Sequence, residues 1–396
     1  MAEKRLSRNV RLLGVVSLLN DASSEIIYPL LPVFLTAVLG AGPAYIGIIE
    51  GVAESTSALL KPVAGWWSDR LRRRKGLAVA GYALAGLVRP LLAVVSAPWQ
   101  VLAVRFADRT GKGIRSAPRD ALIADSAAPE SRGYAFGFHR AMDHLGAVVG
   151  SLAGFALVEY FHGDLRHAFL YASLPAVFAV GIAAVGIRET PHAPRVEPAK
   201  DAVSPGREGI SPGLRYYFAV LFLFTLGNSS DAFLLLKASE AGVATAHLPL
   251  LWGAHHAVKS LSSIPSGRLS DRLDRRVVIV GGWIVYAGVY LGFAFADSRA
   301  AVWTLFLLYG LYFGLTEGVE RAYVADLAPP DRAGTALGIY HLMIGAGALP
   351  ASLLTGFLWQ RVGPAAALGL GAVLAAVAAA ALLLHRPSRR AVPGGA

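Results

Sequence analysis

The chain has 396 residues, 55% hydrophobic and only 16% charged, with a formal net charge of +11 and a mean hydropathy of +0.51. Soluble domains carry about a quarter of their residues as charge, so this composition excludes a soluble globular protein and describes a membrane protein. No Cys is present, which excludes disulfides and thiolate metal sites and leaves the redox compartment unread.

Apolar runs long enough to cross about 30 Å of hydrocarbon, roughly 20 residues each, recur at 10–38, 44–64, 77–96, 98–119, 134–160, 167–187, 214–237, 246–266, 277–297, 300–323, 335–360 and 364–385. They predict an all-α membrane protein of about twelve transmembrane helices. The first run is too long for a cleavable signal peptide and lacks a small-residue cleavage site. Basic residues alternate from loop to loop. Lys4, Arg5, Arg8 and Arg11 precede span 1, Arg70, Arg72, Arg73, Arg74 and Lys75 follow span 2, and Arg386, Arg389 and Arg390 follow span 12, whereas the intervening loops hold little beyond Arg166, Arg299 and Arg361. This bias predicts both termini on the cytoplasmic side of the cell's inner membrane, and it accounts for the net charge without any nucleic-acid partner.

Span 1 contains LLNDASSEIIYPLLP, in which Asp21 lies about eleven residues into the run, roughly 16 Å deep at 1.5 Å per residue. Asp21, Ser24, Glu25 and Tyr28 share one helical face, opposite Leu19, Ile26 and Leu30. A charge at that depth must face the bundle or a wet cavity. Span 2 adds a matching stripe of Glu50, Glu54 and Ser57. Span 4 brings Arg105, Asp108 and Arg109 and opens the unusual stretch DRTGKGIRSAPRDALIAD at 108–125. Span 5 brings His139, Arg140, Asp143 and His144, together with Gly137, Gly146, Gly150 and Gly154; the last three, four residues apart, permit close helix approach. The Pro-, Gly- and charge-rich stretch 188–213 reads as a cytoplasmic linker. Span 7 carries Asp231 at a place that roughly repeats Glu25, span 8 carries His255, His256 and Lys259, span 10 carries Glu317, Glu320 and Arg321, and span 11 carries His341.

The chain repeats itself. GWWSDRLRRRKG at 65–76 returns as GRLSDRLDRRVV at 267–278, and ADSAAPESRGYAFGFHRAM at 124–142 returns 201 residues later. Two six-helix halves follow, 1–187 and 214–396, a common plan for secondary transporters with the substrate site where the halves meet.

Gly65, Asp69, Arg70, Arg73 and Arg74 are spaced so that the loop after span 2 resembles the signature G-x-x-x-D-R-x-G-R-R of the major facilitator superfamily, with Arg72 in place of Gly. Arg105-x-x-Asp108-Arg109-x-Gly111 resembles that family's R-x-x-Q-G-x-G pattern, with Asp108 and Arg109 replacing Gln and Gly. The span 5 glycines resemble its antiporter motif, with Ser151 in place of Pro. The resemblance implies two pseudo-symmetric six-helix bundles and a gating latch. Asp69 would face the start of span 11, Arg70 and Arg73 would pair with acids such as Asp120, and Gly267, Asp271 and Arg272 form the second copy.

The expected activity is secondary transport by alternating access: proton-coupled export of a cationic or amphipathic small molecule by a monomer in the lipid bilayer, with no cofactor and no resident metal. Crowded carboxylates in low dielectric suit proton loading. Neutral acid–arginine pairs that only hold helices together are the rival reading, favoured for Asp108, Arg109, Arg140 and Asp143. Depth and a surplus over nearby cations favour function for Asp21, Glu25 and Glu54. The alternatives are an uptake symporter, and a divalent-metal exporter using Asp21, Glu25, His139 and Asp143. No P-loop occurs, and His139-x-x-x-Asp143 is too short for the acyltransferase pattern, so an enzyme is not expected. In this Cys-free background, a single Cys at Ser204 should be labelled by an impermeant maleimide only from the cytoplasmic side; labelling of intact cells would reverse the topology.

Overall fold

The structure is a computed structural model that describes residues 6–71, 74–127, 132–189, 211–328 and 333–384. The expectations for Arg72, Arg73, Ser204 and most of the 188–213 linker fall outside those residues, and of Asp69, Gly137 and Asp271 only the helical backbone is described.

Twelve helical spans follow one another: α1 (Arg8–Ile27), α2 (Pro43–Leu71), α3 (Arg74–Val88), α4 (Pro98–Asp125), α5 (Arg132–Tyr160), α6 (Leu165–Tyr171 and Ser173–Gly186), α7 (Pro212–Gly227 and Ala232–Glu240), α8 (Leu248–Arg272), α9 (Arg275–Ala294), α10 (Arg299–Leu327), α11 (Ala333–Arg361) and α12 (Pro364–Leu384). Their starts repeat at the spacing found in the sequence: α3 and α9, α4 and α10, and α5 and α11 each begin 201 residues apart. Pro opens α2, α4, α7 and α12, where its missing N–H costs nothing. Ser7, Ser211 and Ser298 cap α1, α7 and α10 by accepting from the backbone N–H three residues on.

Three spans depart from the uninterrupted runs expected. After Ile27, Pro29 and Pro32 remove backbone donors, and the first span continues as a tight turn at Tyr28–Leu30 and a wide one at Phe34–Val38. Pro90 similarly tightens the end of α3 over Arg89–Ala93. The seventh span breaks at Asn228–Ser230 and restarts from Asp231.

Among the described residues, eight spans are long and apolar enough to cross a membrane by length and composition: α3, α5, α6, α7, α9, α10, α11 and α12. The other four, α1, α2, α4 and α8, carry most of the ionisable groups at mid-span. Large apolar side chains such as Leu87, Val94, Val185 and Leu384 stay exposed on α3, α6 and α12; in lipid such a surface is solvated rather than stranded.

Within the first half, α1 packs along α5 and α4 is flanked by α2 and α3; within the second, α9 packs along α12 and α10 along α8. The halves meet where α2 lies on α11 and α5 on α8. Small residues set these approaches. A Cβ on Gly146 would lie 2.5 Å from the Leu18 carbonyl oxygen, and one on Gly150 would lie 2.8 Å from the Ala22 Cα. The span 5 glycines thus fit α5 against α1; Gly154 also reaches Pro249 of α8. Across the halves, Gly51 meets Leu349, Gly345 meets Ala58, and Ser55 Oγ donates to the Gly345 carbonyl at 2.9 Å. Nearer the other end, Gly267 and Gly338 face open space. The seam between the halves is thus tight from Gly42 and Gln360 to Ala58 and Gly345 and opens as a cleft towards the end that bears Gly267 and Gly338.

Gly150→Val should cost about 1–3 kcal/mol by overpacking against Ala22 and lower the unfolding temperature in detergent, whereas Gly281→Ala, which meets nothing within 4 Å, should be neutral.

Candidate functional site

Four charged side chains from three helices close a network inside the first half. Arg105 clamps Glu50, with Nε–Oε1 at 3.0 Å and Nη2–Oε1 at 2.7 Å. Arg89 donates through Nε to Asp108 Oδ1 at 2.9 Å and through Nη1 to the Asn20 carbonyl at 2.9 Å. Arg105 and Asp108 approach to 3.8 Å. All four are no more than 5% exposed. Asp108 thus finds its partner in Arg89, at the end of the third span. Arg89 itself was overlooked; its signal was a lone arginine inside a hydrocarbon run, ahead of Pro90.

The carboxylates expected to crowd together each have a described partner of their own. Glu54 takes Arg109 at 3.2 Å, and its side chain is 45% exposed. Asp143 accepts from Ser17 and lies 3.5 Å from Arg140 and 3.6 Å from His139 Nδ1. Asp21 accepts from Asn20 at 2.9 Å. Glu25 reaches across to the other half, where Trp252 Nε1 donates to its Oε2 at 2.6 Å. Among the described residues no cation lies within ion-pair distance of Glu25. Tyr28, one turn on, lies tilted against Trp252 with ring centroids 5.2 Å apart and contacts Ser230 Oγ at 3.4 Å.

The second half answers with aromatic rings. His255 stacks between Trp252 and Tyr309 at 5.1 Å each, and its Nδ1 faces the Phe306 carbonyl at 3.2 Å. Tyr309 donates to Asp231 at 2.5 Å, at the break in α7. Glu320, buried, accepts from Trp283 at 2.9 Å and from Tyr340 at 2.8 Å. Glu317 pairs with Lys259 and Arg321 at 3.1 Å each, and His341 is exposed beside Tyr340.

The basic face shows a second form of the repeat. Arg74 pairs with Asp125 and, 201 residues on, Arg275 pairs with Asp326 at 2.7 Å. Hydrogen bonds from Arg276 hold the Asp274 carboxyl, outside the spans, below the usual carboxylate range. Asp120 pairs with Arg119 at 2.8 Å, while the Arg70 guanidinium lies over Trp66 at 5.4 Å. Gly65 and Gly267 sit near the ends of α2 and α8, and Arg272 is exposed at the last residue of α8.

A family profile described as Major Facilitator Superfamily matches residues 13–258 and again 218–395. An MFS-type transporter of Methanocaldococcus jannaschii is 35% identical over 390 residues, covering 96% of each chain. The multidrug resistance protein MdtH of Cronobacter sakazakii is 25% identical over 331 residues, covering 81% of this chain and 79% of that one. The crystal structure of a bacterial homolog of the human lysosomal transporter Spinster, inward-facing and occupied, superposes with a TM-score of 0.74 at 15% identity over 95% of both chains.

Removing one partner of a buried ion pair leaves the other uncompensated, at a cost of about 3–5 kcal/mol. Arg89→Met should therefore lower thermal stability and folded yield sharply, while Arg89→Met combined with Asp108→Leu should recover much of the loss; equal stability of the single and double variants would show that the pair is not coupled.

Proposed function

The chain belongs to the major facilitator superfamily and is a multi-pass membrane transporter rather than an enzyme, and from that premise we propose that it exports an amphipathic small molecule in exchange for protons. The observation that carries the reading is Glu25, a mid-span carboxylate at the junction of the halves whose described partner is the neutral indole N–H of Trp252. Such a carboxylate can gain and lose a proton without stranding an arginine. Glu50 and Asp108 cannot, because each neutralisation would leave a buried guanidinium unpaired.

The proposed exchange runs through that hydrogen bond. Deprotonated Glu25 accepts from Trp252 and ties α1 to α8; a proton arriving on Oε2 turns a charged acceptor into a weaker neutral one and loosens the tie, so the halves rock. Tyr28 and Trp252 flank the carboxylate and offer ring faces to an apolar body. Of the cationic and amphipathic substrates expected, the lining favours the amphipathic, since arginine and lysine on α4 offset the acids of α1 and α2. Export is supported by the relative named as a multidrug resistance protein, and a cytoplasmic placement of both termini by the basic loops. A metal cargo is disfavoured by geometry: among the described residues no three His, Asp or Glu side chains converge as a metal would require.

Glu25→Gln should abolish flux driven by a pH step in proteoliposomes while leaving substrate binding or counterflow exchange intact, whereas Asp21→Asn should lower thermal stability before it lowers flux. Normal transport by Glu25→Gln at every pH tested would remove Glu25 as the proton carrier.

A further inference from the structure

The stretch 108–125 contributes little to the exchange just described, yet it lays a line of cations along α4. Arg105, Arg109, Lys112 and Arg119 recur at the three-, four- and seven-residue steps that hold one helix face. Glu50 accounts for Arg105, Glu54 for Arg109 and Asp120 for Arg119. Among the described residues nothing comparable accounts for Lys112, nor for Lys61 on α2: neither has a carboxylate within ion-pair distance. The charges that act on Lys61 are Glu54 against Arg119, Arg109 and Arg140, and those that act on Lys112 are Glu54 and, from α1, Asp21 and Glu25, against Arg109, Lys61 and Arg115. Glu54, the shared acid, is already bound to Arg109.

Lys112 lies seven residues inside the end of its span at 119, roughly 10 Å at 1.5 Å per residue, and is half-buried against the neighbouring helices, so the cleft offers its ammonium group the nearest polar surroundings. α4 and α2 approach closely beside the two lysines, where a Cβ on Gly113 would lie 2.6 Å from Leu60 Cβ; both lysines are half-buried, and the neighbouring charges Glu54 and Arg140 are 45% and 56% exposed at the side chain, so they line a wet wall, not a lipid-facing one. Cations left without a direct ion-pair partner on a cleft wall attract anionic ligands.

We propose that Lys61 and Lys112 form an anion subsite on the cleft wall, which holds a carboxylate or phosphate of the transported molecule and makes the substrate an amphipathic organic acid. This rests on the cleft being the transport path and is independent of proton exchange at Glu25. The acid group sits on the lysines of the first half, and the apolar body lies towards the aromatic wall of the second. Two compact ammonium groups suit a rotating acid group better than a bidentate clamp would.

The test is equilibrium binding to the full chain in nanodiscs of phosphatidylcholine, with no gradient, using naphthoate and naphthylmethylammonium as probes matched in apolar body and opposite in charge. Wild type should bind naphthoate more tightly than the ammonium. Combined Lys61→Gln and Lys112→Gln should weaken naphthoate at least about tenfold, and combined Lys61→Arg and Lys112→Arg should retain most of it. The probe-free Gln variant should melt no lower than wild type, because neutralising the lysines relieves repulsion from Arg109 and Arg140; a structural role would lower it. Equal affinity for both probes, or unchanged naphthoate binding by the Gln variant, overturns the proposal. So does competition by phosphatidylglycerol nanodiscs that the Gln variant abolishes while naphthoate binding persists, which would assign the lysines to a lipid headgroup. Binding as expected alongside normal flux by Glu25→Gln would keep the subsite and sink only the proton route.

Discussion

The structure depends on how charge is kept in hydrocarbon. Arg89, Arg105, Glu50 and Asp108 place two guanidinium groups and two carboxylates on α2, α3 and α4, and each group finds a partner at hydrogen-bond distance. Separately, any of them would cost several kcal/mol or more at mid-membrane; together they are neutral and fix the mutual rotation of three helices. Arg89 also ties α3 to the Asn20 carbonyl, so the network sets where α1 presents Asp21 and Glu25.

At the positions that match this network, the second half packs without charge. At the 201-residue spacing, Arg89 corresponds to Tyr290, Arg105 to Phe306 and Asp108 to Tyr309. Where Arg89 grips Asp108, the rings of Tyr290 and Tyr309 stand 6.1 Å apart, and Phe313 takes the place of Lys112. The two bundles share helix spacing but differ in lining at these positions, one ionic and the other aromatic. A molecule between them meets unlike surfaces, as an amphipathic substrate would require.

The twelve spans, the duplication and the family were legible because each rests on a pattern the chain must display: run length, a repeated loop, glycines at four-residue spacing. The interruptions were less so. Pro29 and Pro32 stand in plain view, but whether a proline bends a transmembrane helix or tightens it into turns is decided by neighbours that resatisfy the backbone. Side-chain partnering was the least legible. Glu54 looks free in the sequence and is paired with Arg109; Glu25 looks crowded and instead reaches Trp252, more than two hundred residues away. Spacing along one helix tells which residues share a face, not which face of another helix arrives there. Arg89 was overlooked because it stood alone in its span.

Pairing and transport place opposite demands on buried charge. A pair within one bundle, such as Arg89 with Asp108, survives any rigid motion of that bundle and can only stabilise it. A contact that crosses between bundles, such as Glu25 with Trp252 or Tyr28 with Ser230, must break when the halves separate on that side, so its strength enters the free-energy difference between the two arrangements. A crossing ion pair would weight that difference heavily and hold one state; a neutral donor to a carboxylate weights it less and lets protonation weaken it further. The distribution of charge in this chain follows that division, with paired ions inside the first bundle and a carboxylate on a neutral indole at the seam.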